Sequence, residues 1–187
     1  LKQRVDVYTE KPVLIFRATW ENYQRVFEPQ DFSRYLLNSL IVAGSVTLII
    51  MYFGALAAYA LTRWRFAGYN WISLAIISAR MFPPIALLPS FFLFASRLGL
   101  VGTRQVLVFA HATYGLPFIV FMLAGFFRQI PRDLDDAALI DGCSRWQLFN
   151  RIMLPSVAPG LAAAAILSFV WSWNEFLFAL VLTRAST

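Results

Sequence analysis

Long runs of apolar residues alternate with short polar stretches along most of this chain. Four of these runs are long enough to cross a bilayer as helices, at about residues 36–62, 71–95, 105–127 and 161–183. The first run is closed by Arg63-Trp64-Arg65, a combination of charge and aromatic surface that is typical of a membrane interface. The pattern therefore predicts an all-α, polytopic membrane helix bundle with four visible spans.

Prolines divide two of the apolar runs. The second run contains Pro83, Pro84 and Pro89, and the third contains Gly115-Leu116-Pro117. Because proline removes a backbone donor and clashes with the preceding turn, we expect the second span to be bent or broken near its middle. We expect a second interruption at comparable depth in the third span. Broken helices inside a membrane are tolerated where they face protein or a water-filled cavity, so these sites either shape the bundle or line a polar passage.

The segment between the third and fourth runs, residues 131–160, has a different pattern, that of two short helices. Three aspartates follow Pro131 in the first turn of the first helix, where carboxylates suit the positive helix end. Gly142 is placed to end that helix in a left-handed cap. Ser144 and Gln147 have the spacing of a capping box that opens the second helix. We call this segment the elbow, and we interpret it as a docking surface rather than an active site.

The composition supports a membrane protein and excludes several other classes. The chain has 187 residues, of which 59% are hydrophobic, and it contains no acidic residue between Phe32 and Arg132. Its net charge of +6 comes from bases that are spread singly beside apolar runs, without the basic stripe that nucleic-acid binding needs. One cysteine, Cys143, excludes an internal disulfide. Residues 1–35 are mixed polar and aromatic, which indicates an extracytoplasmic or interfacial segment.

The residue types give no basis for catalysis by this chain. A phosphate-binding P-loop needs a lysine preceded by glycine, and the two lysines, Lys2 and Lys11, do not fit that pattern. One histidine and one cysteine on different elements do not make a metal site. Within the spans the titratable groups include a single carboxylate, Glu175, and a single histidine, His111. We therefore predict no catalytic residue, no metal and no cofactor.

Several short motifs together resemble the permease subunits of ATP-binding-cassette (ABC) importers. The elbow contains a sequence similar to their EAA loop, namely Asp136-Ala137-Ala138, Asp141-Gly142 and Ile152-Met153-Leu154-Pro155. The rest of the chain after about Trp20 resembles the second permease subunit of maltose-type sugar importers. The pieces that carry this likeness are Asn38-Ser39-Leu40, Ala57-Ala58-Tyr59-Ala60-Leu61, Met81-Phe82-Pro83-Pro84, Gly115-Leu116-Pro117-Phe118 and Trp173-Asn174-Glu175-Phe176. Two positions depart from the pattern: Asp136 stands where glutamate is usual, and Cys143 where alanine is common.

The resemblance implies a fold, a function and a set of partners. The fold would be the MetI-like permease bundle, with residues 36–187 forming the transmembrane domain and four of six spans visible. The function would be import of a di- or oligosaccharide across the inner membrane, driven by ATP. The implied partners are a second permease subunit, two ATPase subunits that hold ATP and magnesium, an external solute-binding protein, the sugar and membrane lipid. The elbow would be cytoplasmic and would couple to the ATPase through Asp136, Ala137, Ala138, Asp141, Gly142, Leu154 and Pro155.

A second set of residues is predicted to line the translocation path. It consists of polar, aromatic and helix-breaking positions inside the spans, namely Arg80, Phe82, Pro83, Pro84, Tyr114, Trp173, Asn174 and Glu175. Charges are expensive in lipid, so Arg80 and Glu175 are expected to face the bundle interior and to approach each other or a shared polar cluster. Alternatively, Arg80 extends toward the nearer interface while Glu175 pairs with a partner subunit. His111 is expected to be hydrogen-bonded within a helix interface.

Two other functions remain open at this point. A secondary transporter or channel that works alone would need titratable groups in its spans, and only Glu175, Arg80 and His111 are available. A membrane scaffold or receptor subunit would not need broken helices. A nucleotide-binding partner that co-purifies with the chain would disfavour both alternatives.

Overall fold

The structure is a computed structural model that describes Trp20, residues 30–64 and residues 66–183. The predicted extracytoplasmic or interfacial segment, residues 1–35, therefore lies almost wholly outside the described residues. The chain forms two compact units, residues 1–40 and residues 41–187. Of the first unit, the structure describes Trp20 and the residues from 30 to 40, which are helical.

Every regular element in the described part of the chain is a helix, which confirms the all-α prediction. The helices are α1 (Gln30–Arg63), α2 (Tyr69–Ala79), α3 (Pro84–Arg97), α4 (Arg104–Arg128), α5 (Asp133–Ile140), α6 (Arg145–Ser156), α7 (Ala158–Asn174) and α8 (Leu177–Thr183). Within the described residues, α1 and α4 are each long and apolar enough to cross a membrane alone. The pairs α2–α3 and α6–α7 meet the same criterion only as bent pairs. Among the residues that the structure describes, the number of candidate spans is therefore two, or up to four if each bent pair crosses as one span.

Helix α4 lies at the centre of the second unit and contacts α2, α3, α7 and α8. Small residues let its neighbours approach closely. A Cβ on Gly54 of α1 would lie 2.9 Å from Cγ2 of Ile119, and one on Gly115 would lie 3.2 Å from Cζ3 of Trp171 in α7. Close backbone approach of this kind replaces the hydrophobic driving force that lipid does not supply between helices.

The second apolar run is broken where the prolines predict it. Helix α2 ends at Ala79 and α3 begins at Pro84, and their axes differ by 98°. Pro84 occupies the first position of α3, where a missing backbone donor costs nothing. Pro83, just before it, is extended with φ −65° and ψ 137°. The prediction of a break in this run is confirmed.

The predicted interruption in the third run is wrong. Helix α4 continues from Arg104 to Arg128 with Pro117 inside it. A single proline removes one hydrogen bond, and the packing of α1, α2, α3, α7 and α8 against α4 keeps the helix continuous. The fourth run is interrupted instead: α7 ends at Asn174, Glu175 is extended with φ −74° and ψ 117°, and α8 starts at Leu177. No proline stands at that break.

Candidate functional site

Two helices joined by a short loop form the middle of the elbow, as the sequence predicts. Helix α5 ends at Ile140, and Gly142 has φ +86°, in the left-handed region that favours glycine. The N–H of Cys143 donates to the carbonyl of Ala138 at 3.0 Å, and that of Gly142 donates to Leu139 at 3.1 Å. This pair of bonds is the Schellman arrangement, which satisfies carbonyls that the helix end leaves free.

Helix α6 begins with the predicted capping box. The N–H of Gln147 donates to the Ser144 hydroxyl, and the Gln147 side chain accepts from the Ser144 N–H at 2.8 Å. From Leu148 to Met153 the helix is a π-helix, an uncommon form that occurs often at functional sites. Leu148, Phe149 and Met153 of this π-helical segment are buried, and the Phe149 ring lies 5.1 Å from the ring of Tyr59 in α1. The elbow is thus packed onto the end of α1.

An ion pair joins the elbow to the last residue of α1. Nε of Arg63 lies 2.8 Å from Oδ2 of Asp135, and the two side chains are only 6% and 16% exposed. The same guanidinium donates to the carbonyl of Ile130 at 3.2 Å and lies 3.7 Å from Sδ of Met153. Arg132 donates to the carbonyl of Thr62 at 3.3 Å, also in α1. Asp135 and Arg132 near the start of the elbow, and Met153 near its end, thus all contact the end of α1.

Burial raises the pKa of Asp135 above its usual value, and the neighbouring Asp136 adds to this effect. The Arg63 guanidinium acts in the opposite direction and lowers that pKa. Sequence reasoning placed Asp135 in the first turn of α5 without assigning it a role, and singled out Asp136 and Asp141 instead. The helical period could have identified Asp135 as an inward-facing residue, because it precedes the buried Ala138 by three positions and so lies on the same face of α5.

The predicted coupling residues divide between an outer and an inner face of the elbow. Asp136, Ala137, Asp141, Gly142 and Pro155 are exposed. Ala138 is buried, and Leu154 packs against the hydrophobic core. The five exposed residues comprise two aspartates, an alanine, a glycine and a proline, and they are available for contact with another protein. Ala138 and Leu154 instead pack the elbow against the helix bundle.

Glu175 forms a polar cluster at the break between α7 and α8. Its carboxylate accepts the N–H groups of Leu177 at 3.1 Å and Phe178 at 2.9 Å, which are otherwise unpaired at the start of α8. Nε2 of His111 lies 3.4 Å from the same carboxylate, and its Nδ1 is 2.9 Å from the hydroxyl of Ser172. His111 is therefore a hydrogen-bonded residue in a helix interface, as predicted. Sequence reasoning missed Ser172.

A serine, a histidine and a carboxylate in contact invite comparison with a hydrolytic triad. Ser172 is 4% exposed and His111 is 2% exposed, so neither side chain can reach a substrate. His111 also lies between Ser172 and Glu175, which are three residues apart in the chain. The carboxylate of Glu175 already accepts two backbone N–H groups. The Glu175 carboxylate caps the start of α8 and so shapes the helix break, while Nε2 of His111 lies near it without a well-aligned hydrogen bond.

Arg80 and Glu175 have different nearest partners, and they form no ion pair with each other among the described residues. Arg80 donates to the carbonyl of Tyr114 at 3.4 Å, and its guanidinium lies 4.8 Å from the centre of the Tyr114 ring and 5.2 Å from that of Phe118. The cation is stabilised by aromatic faces, while Glu175 pairs with His111.

A cavity of about 420 Å³ lies between α2, α3 and α4. Its lining includes aromatic rings from Phe82, Phe91 and Tyr114 and hydroxyls from Ser78 and Thr113. Two predicted path residues, Phe82 and Tyr114, thus meet here. Trp173 and Asn174, which precede the α7–α8 break, are not among the residues that line this cavity. Trp173 stacks on Phe169, and the side chain of Asn174 donates to the carbonyl of Val170. Pro83 and Pro84 lie at the α2–α3 break itself.

Comparisons with known proteins give one consistent result. Residues 50–186 match the family model described as "Binding-protein-dependent transport system inner membrane component". The chain is 41% identical over 174 residues to the trehalose/maltose transport system permease protein MalG of Thermococcus litoralis, covering 92% of this chain and 63% of that protein. It is 39% identical over 164 residues to the diacetylchitobiose uptake system permease protein NgcG of Streptomyces coelicolor, covering 87% of this chain and 54% of that protein.

A solved structure shows the same fold. It is a bacterial ABC transporter involved in the import of the acidic polysaccharide alginate, and it matches with a TM-score of 0.85 and 24% identity over 98% of this chain and 65% of that one. The predicted fold class, a permease helix bundle, is therefore confirmed. The chain spans less than two thirds of the length of the two curated relatives above.

Proposed function

Because this chain belongs to the family of binding-protein-dependent transport system inner membrane components, we propose that it is a permease subunit of an ATP-driven sugar importer. The family places it in the inner membrane as a multi-pass protein. In the proposed transporter, a second permease subunit completes the passage and two ATPase subunits bind ATP and magnesium. An external solute-binding protein delivers the substrate, and this chain hydrolyses nothing itself.

The proposed substrate is a di- or oligosaccharide. Two relatives at 41% and 39% identity are named for the transport of trehalose or maltose and of diacetylchitobiose. The cavity between α2, α3 and α4 suits such a ligand in chemistry, because sugars stack on aromatic faces such as Phe82 and Tyr114 and hydrogen-bond to hydroxyls such as Thr113. The proposed translocation path runs by this cavity and by the two helix breaks, with Arg80, Pro83, Pro84, Trp173, Asn174 and Glu175 as its other candidate residues.

The observation that carries the proposal is the construction of the elbow. Its outer face is exposed, small and acidic, and its inner face is fixed to α1 through Arg63 and Asp135. A surface of this kind accepts a partner's charged donors on Asp136 and Asp141 while the alanine and glycine allow close approach. Motion of a docked ATPase would then move α1 and α7 as rigid bodies, since the elbow is held to one and continues into the other.

Ala137 offers the sharpest test of this docking role. It is exposed on α5, so Ala137→Trp should fold normally and obstruct the outer face by its bulk. Gly142 is less suitable, because its positive φ would strain any larger residue whether or not a partner docks there. The matched control is Ala162→Trp, an exposed alanine on α7 outside the elbow.

The assay measures co-purification of the ATPase subunits and sugar uptake in vesicles supplied with ATP and the binding protein. We expect Ala137→Trp to insert in the membrane at the normal level, to lose most of the ATPase subunits and to lose uptake, while Ala162→Trp retains both. Normal assembly and uptake in the Ala137→Trp transporter would reject the docking role. Uptake that needs no nucleotide would favour the stand-alone transporter instead.

A further inference from the structure

A polar pocket of about 320 Å³ lies where α1 and α4 end and α2 begins. Three arginines line it: Arg63 from the end of α1, Arg128 from the end of α4, and Arg132 from the start of the elbow. Thr62 and Tyr69 add a hydroxyl each. Among the described residues that line the pocket there is no carboxylate.

The three arginines are not equally engaged. Arg63 is neutralised by Asp135 at 2.8 Å, and Arg132 donates to the carbonyl of Thr62, which carries no full charge. Arg128 is exposed and makes no hydrogen bond or ion pair with the described part of the chain. Arg128 therefore keeps its full charge, and the charge of Arg132 is offset in part by Asp135, which acts on it without a close ion pair. Arginines that line one pocket suit the oxygens of a phosphate group, because each guanidinium presents several N–H donors in a planar fork.

The position of the pocket indicates which anion it meets. Helices α1 and α4 are the two that are long and apolar enough to span a membrane alone, and both end at this pocket, so it lies at the level of a bilayer surface. Exposed aromatic residues lie next to it in the chain: Trp64 follows Arg63, and Phe66 and Trp71 line the adjoining pocket, with exposed fractions of 40%, 41% and 77%. Tryptophan and basic residues together are typical of the headgroup layer.

A second polar pocket adjoins the first through Tyr69, which lines both. It is about 340 Å³, and Gly68, Asn70 and Trp71 at the start of α2 also line it. At this helix start the N–H groups of Tyr69 and Ile72 already donate to the carbonyls of Phe66 and Gly68, so the partial positive charge of the helix end is what favours an anion here.

We propose that this arginine pocket binds the phosphate of an anionic phospholipid headgroup. The site is separate from the elbow's outer face and from the cavity between α2, α3 and α4, and the proposal does not depend on which solute is transported. Basic pockets between transmembrane helices recognise anionic headgroups in this way, and each arginine near such a surface strengthens binding about fivefold.

The test compares lipid binding by the assembled transporter and by variants. Arg128→Gln removes a charge that holds no internal contact, and Arg128→Gln with Arg132→Gln removes both charges. Arg97→Gln, an exposed arginine at the last position of α3, is the matched control for an arginine outside the pocket. Phosphatidylglycerol is titrated into the transporter in phosphatidylcholine nanodiscs, and bound lipid is counted by native mass spectrometry.

We expect the dissociation constant for phosphatidylglycerol to rise about fivefold in Arg128→Gln and further, but by less than a second factor of about five, in the double variant, because Asp135 already offsets part of the Arg132 charge; Arg97→Gln should be unchanged. The proposal would be overturned if all variants bound phosphatidylglycerol with the same dissociation constant as the unmodified transporter. Displacement of the lipid by millimolar inorganic phosphate would assign the pocket to a free anion and overturn it as well. Loss of ATPase subunits from Arg128→Gln, which leaves the Arg132 contact with Thr62 intact, together with unchanged lipid binding would show that Arg128 faces a protein partner, and would refute the lipid assignment.

Discussion

The ion pair between Arg63 and Asp135 allows the attachment of the elbow to be measured as a free energy. Arg63→Met leaves a carboxylate that is 16% exposed without its partner, and breaking a buried pair from one side costs about 3 kcal/mol. Asp135→Asn leaves a guanidinium that is 6% exposed without its counter-charge and is also expected to cost about 3 kcal/mol, although Arg63 retains the carbonyl of Ile130. The two single variants should therefore lose similar amounts of stability.

The pH dependence provides an independent check on the same pair. The pKa of Asp135 is raised in the folded protein, so the folded state holds this proton more tightly than the unfolded state does, and ionisation lowers stability as pH rises above the unfolded value. Arg63 limits that loss by lowering the pKa. Without Arg63 the pKa rises further, and the deficit of Arg63→Met relative to the unmodified protein should grow from mildly acidic to neutral pH. Asp135→Asn should show no such growth.

The measurement is unfolding by sodium dodecyl sulfate in mixed micelles, followed by tryptophan fluorescence, for each single variant and the double variant. We expect the double variant to be at least about 1 kcal/mol more stable than the sum of the single effects predicts, because the second change removes a charge that the first left unpaired. Arg97→Met, an exposed arginine at the end of α3, controls for the loss of an arginine. Additivity within about 0.5 kcal/mol, at both pH values, would refute the claim that these residues stabilise each other.

Three further predictions concern close packing and helix caps. In Gly160→Ala the new Cβ would lie 2.5 Å from Cγ of Phe126, so the ring or the helix must move; the same unfolding assay should show a loss of about 1–3 kcal/mol. Glu175→Gln removes the charge that accepts two N–H groups of α8 and faces His111, and we expect faster hydrogen exchange across α8 with α4 unaffected. Ser144→Ala removes half of the capping box and should cost about 1 kcal/mol, with faster exchange confined to the start of α6. Unchanged exchange in either cap variant would contradict the role assigned to that side chain.

The elbow could be predicted in detail because its chemistry is local. A glycine with positive φ and a serine–glutamine box three residues apart are satisfied within one or two turns, so no distant partner decides them. The break at Pro83 and Pro84 is equally local, since two adjacent prolines cannot continue a helix from the residues before them. In each case the sequence contains both halves of the interaction.

The other breaks depend on residues far apart in the chain. Pro117 alone did not break α4, because the helices packed around α4 outweigh the loss of one hydrogen bond. The α7–α8 break has no proline and is held by the carboxylate of Glu175, which is itself positioned by His111 from another helix. A sequence shows that such a glutamate is expensive inside a membrane, but it does not show which helix end the glutamate will satisfy.

The same distinction explains why Asp135 and Asp136 have different roles although they are neighbours with the same side chain. Successive residues on a helix point about 100° apart, so when α5 packs its Ala138 side onto the bundle, Asp135 faces Arg63 and Asp136 faces away. One carboxylate then anchors the elbow and the other stays available to a partner. Because the exposed face and the anchor belong to the same short helix, a force applied at Asp136 reaches α1 through the adjacent Asp135 and its ion pair with Arg63, alongside the contacts of Arg132 and Phe149 with α1. Weakening that pair should therefore reduce transport driven by ATP before it reduces ATPase binding, and equal loss of both would show that the anchor only stabilises the fold.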